Sequence, residues 1–159
     1  MPAHTPLVSV IVVSGLALGA ATAVGGAAAA PQGPWVRPAY GVSVFPQPAD
    51  DPQLTAAPDG SVTFVWEGWD GAHWQIRSRT RTAAGAMQGI TTLSAAGADH
   101  EDPRVAIGPD GTTAVAWKNM RNWNRVVQVR TRKPGSRYGQ VQSLSNPKGD
   151  ATEDRIAIG

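Results

Sequence analysis

The sequence predicts an all-β fold made from a tandemly repeated four-stranded unit. Three observations carry that expectation. A set of anchor residues recurs at one fixed offset of 51 residues. Each copy holds runs of strand periodicity separated by turns bearing Gly and Pro. After residue 30, no window shows the apolar stripe of an amphipathic helix.

The anchors are specific. Asp51-Pro52 returns as Asp102-Pro103, Pro58-Asp59-Gly60 as Pro109-Asp110-Gly111, and Trp66 as Trp117. Arg79-Thr80-Arg81 returns as Arg130-Thr131-Arg132, Leu93-Ser94 as Leu144-Ser145, and Asp99 as Asp150. A third copy begins where Arg104-Val105-Ala106-Ile107-Gly108 returns as Arg155-Ile156-Ala157-Ile158-Gly159. The chain thus divides into segments 1–29, 30–50, 51–101 (repeat one), 102–152 (repeat two) and 153–159 (the start of a third copy).

Within a unit the first strand is predicted over 53–57 or 104–107. A Pro-Asp-Gly turn follows, since Pro sets φ and Asp and Gly tolerate turn geometry. The second strand covers 61–67 or 112–118 and is apolar on both faces, as a strand between two layers would be. Trp66 and Trp117 close it as core anchors. The third strand, 74–81 or 125–132, alternates buried positions with a polar face carrying Arg79, Arg81, Arg130 and Arg132. A short fourth strand is expected at 89–93 or 140–144. Four antiparallel strands in about 50 residues, in tandem, match the arithmetic of a β-propeller blade. A β-sandwich or another stacked β array would also accommodate such sheets.

Val42-Ser43 lies nine residues before Asp51, as Leu93-Ser94 lies nine before Asp102, so residues 40–44 read as a lone fourth strand. The count is then about two blades plus spare strands, an incomplete ring. A closed ring takes four to eight blades. Either the missing blades belong to a longer chain, which the abrupt end at Gly159 favours, or short chains assemble into one ring as a homo-oligomer.

The first thirty residues contain no Asp, Glu, Lys or Arg. Leu7 to Leu18 is apolar, and a run of small residues follows to Ala30. This is the layout of a secretory signal peptide, with A-x-A sites ending at Ala23 or Ala29, the second avoiding Pro directly after the cut. The expected localisation is secreted. An uncleaved membrane anchor is the alternative.

Composition narrows the chemistry. There is no cysteine, hence no disulfide, no thiolate nucleophile and no Cys-based metal site. The net charge is +2 with no block of like charge, so no nucleic-acid footprint is expected. No G-x-S-x-G, H-E-x-x-H, P-loop or EF-hand spacing occurs. No cofactor, metal ligand or catalytic residue is singled out.

The repeat pattern, D-P-x-φ-A-φ-x-P-D-G-x-x-x-V-x-W, then φ-x-φ-R-T-R, a Gly-rich turn and φ-x-x-L-S, resembles one found in secreted proteins of high-GC Gram-positive bacteria. The resemblance covers residues 51–159. It implies export and propeller-like blades distantly similar to the sialidase superfamily, rather than an activity. Asp59 and Gly60 are adjacent and Trp66 follows six residues later. This departs from the S-x-D-x-G-x-x-W form of sialidase Asp-boxes.

Strand direction alternates within a unit, so the loops segregate to two ends. The Pro-Asp-Gly turns and the three-to-four turns share one end. The two-to-three loops and the connections between units share the other, where the sequence varies. There Trp69, Asp70, His73 and Trp74 in copy one, and Arg121, Asn122 and Trp123 in copy two, are the candidate ligand-binding residues. Exposed aromatics beside polar groups suit sugar rings; packing between units would use the same side chains. The repeated arginines read as pairing with Asp or Glu between units or as a solvated face, and otherwise as an anion clamp. Asp99, His100, Glu101 and Asp102 read as a loop cluster that caps turns, with Ca²⁺ binding or an acid/base pair as the alternatives. The functional expectation is a non-catalytic scaffold recognising an extracellular glycan or protein. The alternatives are part of a sialidase-like glycoside hydrolase and a structural spacer.

Overall fold

A computed structural model describes residues 40–121, 124–146, 151 and 156–158. The predicted export segment lies outside them. Among the described residues no helix is long and apolar enough to cross a membrane. The fold is all-β. β1 (Ala49–Ala56), β2 (Val62–Trp69), β3 (Trp74–Arg81) and β4 (Thr91–Thr92) form one four-stranded antiparallel sheet in the order β1-β2-β3-β4. β5 (Asp99–Ile107), β6 (Thr113–Arg121), β7 (Asn124–Arg132) and β8 (Gln142–Ser143) repeat it as a second sheet.

The Pro-Asp-Gly turns form as their residues dictate. Gly60 N–H donates to Ala57 O at 2.9 Å and Ala57 N–H to Ser61 O at 2.8 Å, while Asp59 Oδ1 accepts Ser61 N–H at 2.8 Å. The second copy repeats this with Gly108, Gly111, Thr112 and Asp110. Gly60 and Gly111 hold φ of 84° and 79°, a region that penalises a Cβ.

The Asp-Pro and Trp anchors turn out to be one device. Asp50 pairs with Glu67 and Gln53 with Val65, so Asp51 and Pro52 together face Trp66 alone. Asp102 and Pro103 face Trp117 in the same way. This is a two-for-one β-bulge. Asp51 and Asp102 take φ of 41° and 54° there, and Asp is among the few side chains that tolerate it. The bulge lengthens the first strand, which begins at Ala49 or Asp99. The expected loop at Asp99–Asp102 is therefore strand. The fourth strands are shorter than expected, two residues each, and just after them the N–H groups of Leu93 and Leu144 donate to the carbonyls of Ile76 on β3 and Val127 on β7.

The sheets pack face to face. Val65, Ile76 and Leu93 of the first meet Val115 and Trp117 of the second, all five fully buried. Burying each such side chain is worth about 1.5–3 kcal/mol. The Leu-Ser anchor also serves β3: Ser94 Oγ accepts Ile76 N–H at 3.0 Å and donates to Gln75 Oε1 at 2.9 Å. Ser145 accepts Val127 N–H equivalently. On the far face of the second sheet, Ala114, Ala116 and Val129 pack against Ile156 and Ile158 of the third copy. Residues 40–44 do not form the lone fourth strand expected of them. They nonetheless take its place: Arg79 Nη1 donates to Val42 O at 3.1 Å, as Arg130 Nη1 donates to Leu93 O at 2.9 Å.

Candidate functional site

The β2–β3 hairpin gathers four of the predicted residues at its tip. Trp69 ends β2 and Trp74 begins β3, so both belong to strands rather than to the loop, and they are direct cross-strand partners. Their rings meet edge to face, with centroids 5.5 Å apart at 62°. Such pairs add about 0.5–1.5 kcal/mol beyond area burial. Both rings are half-buried.

Asp70 builds the turn between them. Its Oδ1 accepts the N–H groups of Ala72 at 2.9 Å and His73 at 2.8 Å. Those two donors hold the Asp70 carboxyl below its usual range, His73 N–H most strongly. Trp74 N–H is fixed by Asp99 Oδ1 at 2.9 Å, and Trp69 N–H by Pro48 O at 3.1 Å. Arg77 lies across the hairpin, bonding Trp69 O and Gln47 Oε1. The tip is thus a fixed aromatic edge with His73 beside it. Asp70 supplies its shape, not a free carboxylate. In the second copy Arg121 ends β6 opposite Asn124, and Asn122 and Trp123 lie outside the described residues.

The strand at 99–102 separates four side chains that the sequence reading had grouped in one loop. Asp99 serves Trp74. His100 is fully buried, its Nε2 2.9 Å from Ala95 O and its ring edge-on to Trp117. Burial holds the His100 pKa below its ordinary value. Glu101 accepts from Arg125 Nε at 2.7 Å. Asp102 accepts from the buried Lys118 Nζ at 2.6 Å. Alternation along β5 sends neighbours to opposite faces, so the four share no centre.

Asp102 joins a different group, one that the sequence reading missed. One carboxylate oxygen from each of Asp51, Glu67 and Asp102 lies within 4.8 Å of the others. Glu67 Oε1 accepts Asp102 N–H at 2.8 Å, across the two sheets. Burial pushes the Glu67 carboxyl up to about 7; the charges of Asp51, Asp50 and Asp102 add to this, and the Asp102 N–H opposes it. Arg104 stands 3.5 Å from Asp51. The three oxygens could share a proton or face a hard cation. Two of the acids already have cations, which weakens the case for a metal. Glu67 escaped notice because its counterpart is Lys118. Comparing the copies discards a position whose charge reverses, though such a reversal beside two repeated acids is itself a signal.

No protein-family model, curated protein or solved structure matches the chain. Arg79, Arg130 and Arg132 reach the sheet or segment that precedes them. The partners of Arg79 and Arg130 are carbonyls and those of Arg132 are hydroxyls, where the sequence suggests Asp or Glu or a solvated face. Arg79 Nε and Arg130 Nε reach Gln88 O at 2.7 Å and Gly139 O at 2.6 Å, and their Nη1 atoms reach Val42 O and Leu93 O. A planar guanidinium suits this use, since it can bridge two carbonyls from separate segments.

Proposed function

We propose that the chain is a run of propeller-type blades from an exported protein, acting without catalysis as a recognition scaffold for an extracellular glycan or protein. The observation that carries recognition is the hairpin tip. Trp69 and Trp74 hold a half-exposed aromatic edge in one orientation, and Asp70 and Asp99 lock the backbone on either side. A preformed apolar edge with His73 beside it suits a sugar ring, because little ordering is left to be done on binding. The blade reading is supported by the two sheets presenting the same face onward, with Val65 and its equivalent Ala116 both packed there, and by Ile156 and Ile158 lying against the second sheet. Export rests on the composition of residues 1–29.

A glycan array on the mature chain tests this, with Trp69→Ala and Trp123→Ala beside it. Binding that falls at least tenfold in Trp69→Ala is expected. No binding by the parent chain removes the glycan reading and leaves a protein ligand.

One observation favours a second reading, part of a sialidase-like glycoside hydrolase. Glu67, with its carboxyl near 7 and two acids close by, has the character of a general acid. Hydrolysis of an aryl glycoside that disappears in Glu67→Gln would support it.

A further inference from the structure

Each sheet has an onward face and a back face. Between the sheets, the onward face of the first (Val65, Leu93) meets the back face of the second (Val105, Val115, Trp117). The two remaining faces are covered by short pieces of chain that copy part of this junction.

On the back face of the first sheet, residues 40–48 stand in for a preceding fourth strand. Alternation along β2 turns Phe64 and Trp66, the equivalents of Val115 and Trp117, to that face, and both are buried. Their cross-strand partners Arg79 and Arg77 hold the segment. Arg79 Nη1 donates to Val42 O at 3.1 Å, and Arg77 Nη1 to Gln47 Oε1 at 2.7 Å. The imitation is partial. Val42 is half-buried where Leu93 is fully buried, and residues 40–48 join no sheet.

On the onward face of the second sheet, Ile156 and Ile158 stand where Val105 and Ile107 stand in the repeat, packed on Ala114, Ala116 and Val129. This cover reaches only part of the face. Leu144 remains mostly exposed, although it is held as Leu93 is: its N–H donates to Val127 O, and Ser145 Oγ accepts Val127 N–H.

We infer that residues 40–48 and 156–158 are displaceable covers over the two halves of an interface between copies of this chain. In the joined state, the back face of one copy's first sheet lies on the onward face of another's second sheet. Phe64 and Trp66 take the places of Val115 and Trp117, and Leu144 takes that of Leu93. Leu144 thereby displaces Val42, and Leu54 displaces Ile156. The junction inside the chain is the pattern for this contact, since each half is repeat-equivalent to one of its sides. The size changes run in opposite directions: Ala116 is smaller than Val65, and Phe64 is larger than Val115. A second copy brings a whole sheet face, where each cover brings a few side chains. Covers and copy compete for the same faces, so the apparent affinity between copies scales with the uncovered fraction. The interface is separate from the hairpin tip and independent of any ligand there.

Sedimentation of residues 30–159, which include every described residue, tests the inference. Val42→Ser and Ile156→Ser each weaken one cover and remove no side chain of the joined interface. The double variant should associate at a concentration at least tenfold below the parent's, with unchanged circular dichroism. Adding Leu144→Lys should return it to a monomer. Gln47→Ala deletes only the exposed bond to Arg77, so it decides the matter if the double variant unfolds, and should lower that concentration at least twofold. A folded double variant that associates no more readily than the parent would overturn the inference, as would an unchanged Gln47→Ala. Association that survives Leu144→Lys would also overturn it, since any uncovered apolar face would behave that way.

Discussion

Glu67 shows how one side chain can make a whole domain sensitive to pH. Its carboxyl is raised from 4.5 to about 7 in the folded chain. Between those values the native state holds a proton that the unfolded state has released. Stability therefore rises as pH falls from above 7 toward 4.5, and is lost as pH climbs through 7. Glu67 is only half-buried, so screening limits the effect to about 1 kcal/mol. His100 works the other way. Burial lowers its pKa below 6.5, so its contribution is present above 6.5 and lost on acidification. Comparing variants separates the two. Glu67→Gln keeps an acceptor for Asp102 N–H and removes the charge. Its urea midpoint at pH 8 should exceed the parent's by an amount equivalent to about 1 kcal/mol, and the gap should close by pH 5. A constant gap across that range would mean that Glu67 titrates normally.

At the level of the element, the two copies act as internal controls for each other. Gly60 and Gly111 occupy the same turn with the same sign of φ. A Cβ on Gly60 would meet Ala83 Cβ at 3.8 Å, ordinary contact. On Gly111 it would meet Pro134 Cγ at 2.7 Å, which forces a shift. Gly60→Ala should cost about 1 kcal/mol from backbone strain alone. Gly111→Ala should cost about 2 kcal/mol or more, since overpacking adds to that strain. Urea unfolding of both variants reads the difference, and equal costs would show that the Pro134 loop yields freely. The same comparison shows what the sequence could reveal. Turns and strand cores were legible because Pro-Asp-Gly chemistry and alternating apolar residues act locally. The bulge was not: Asp-Pro and Trp lie on different strands, and only pairing reveals that Asp51 and Pro52 face Trp66. The aromatic tip was legible at Trp69, Asp70, His73 and Trp74, which one hairpin holds together. The Glu67 group was not, because it joins residues from both sheets.

For the whole molecule, the repeat-equivalent pairs that differ in burial are informative. Leu93 is fully buried and Leu144, its counterpart, is 63% exposed. Pro103 is fully buried and Pro52 is exposed. Leu93 belongs to the face that the first sheet offers onward, and Pro103 to the face that the second sheet offers back. The described surface thus carries Pro52 at one side and Leu144 at the other, the two complementary halves of the junction already formed between the sheets. An interface of this head-to-tail kind repeats until a ring closes or the units run out. The same substitution at the two leucines should then give opposite results. Leu93→Ala should cost about 2–5 kcal/mol in urea unfolding, as a buried Leu does. Leu144→Ala should cost under about 0.5 kcal/mol in the chain alone. Leu144→Lys should leave folding intact while putting a charge where a further unit would dock. Sedimentation of residues 30–159 over a range of concentrations reads the consequence. The parent should gain mass as concentration rises, and Leu144→Lys should remain a monomer over the same range. A parent that stays monomeric throughout, or a Leu144→Lys variant that associates as the parent does, would show that the exposed leucine is not half of a junction.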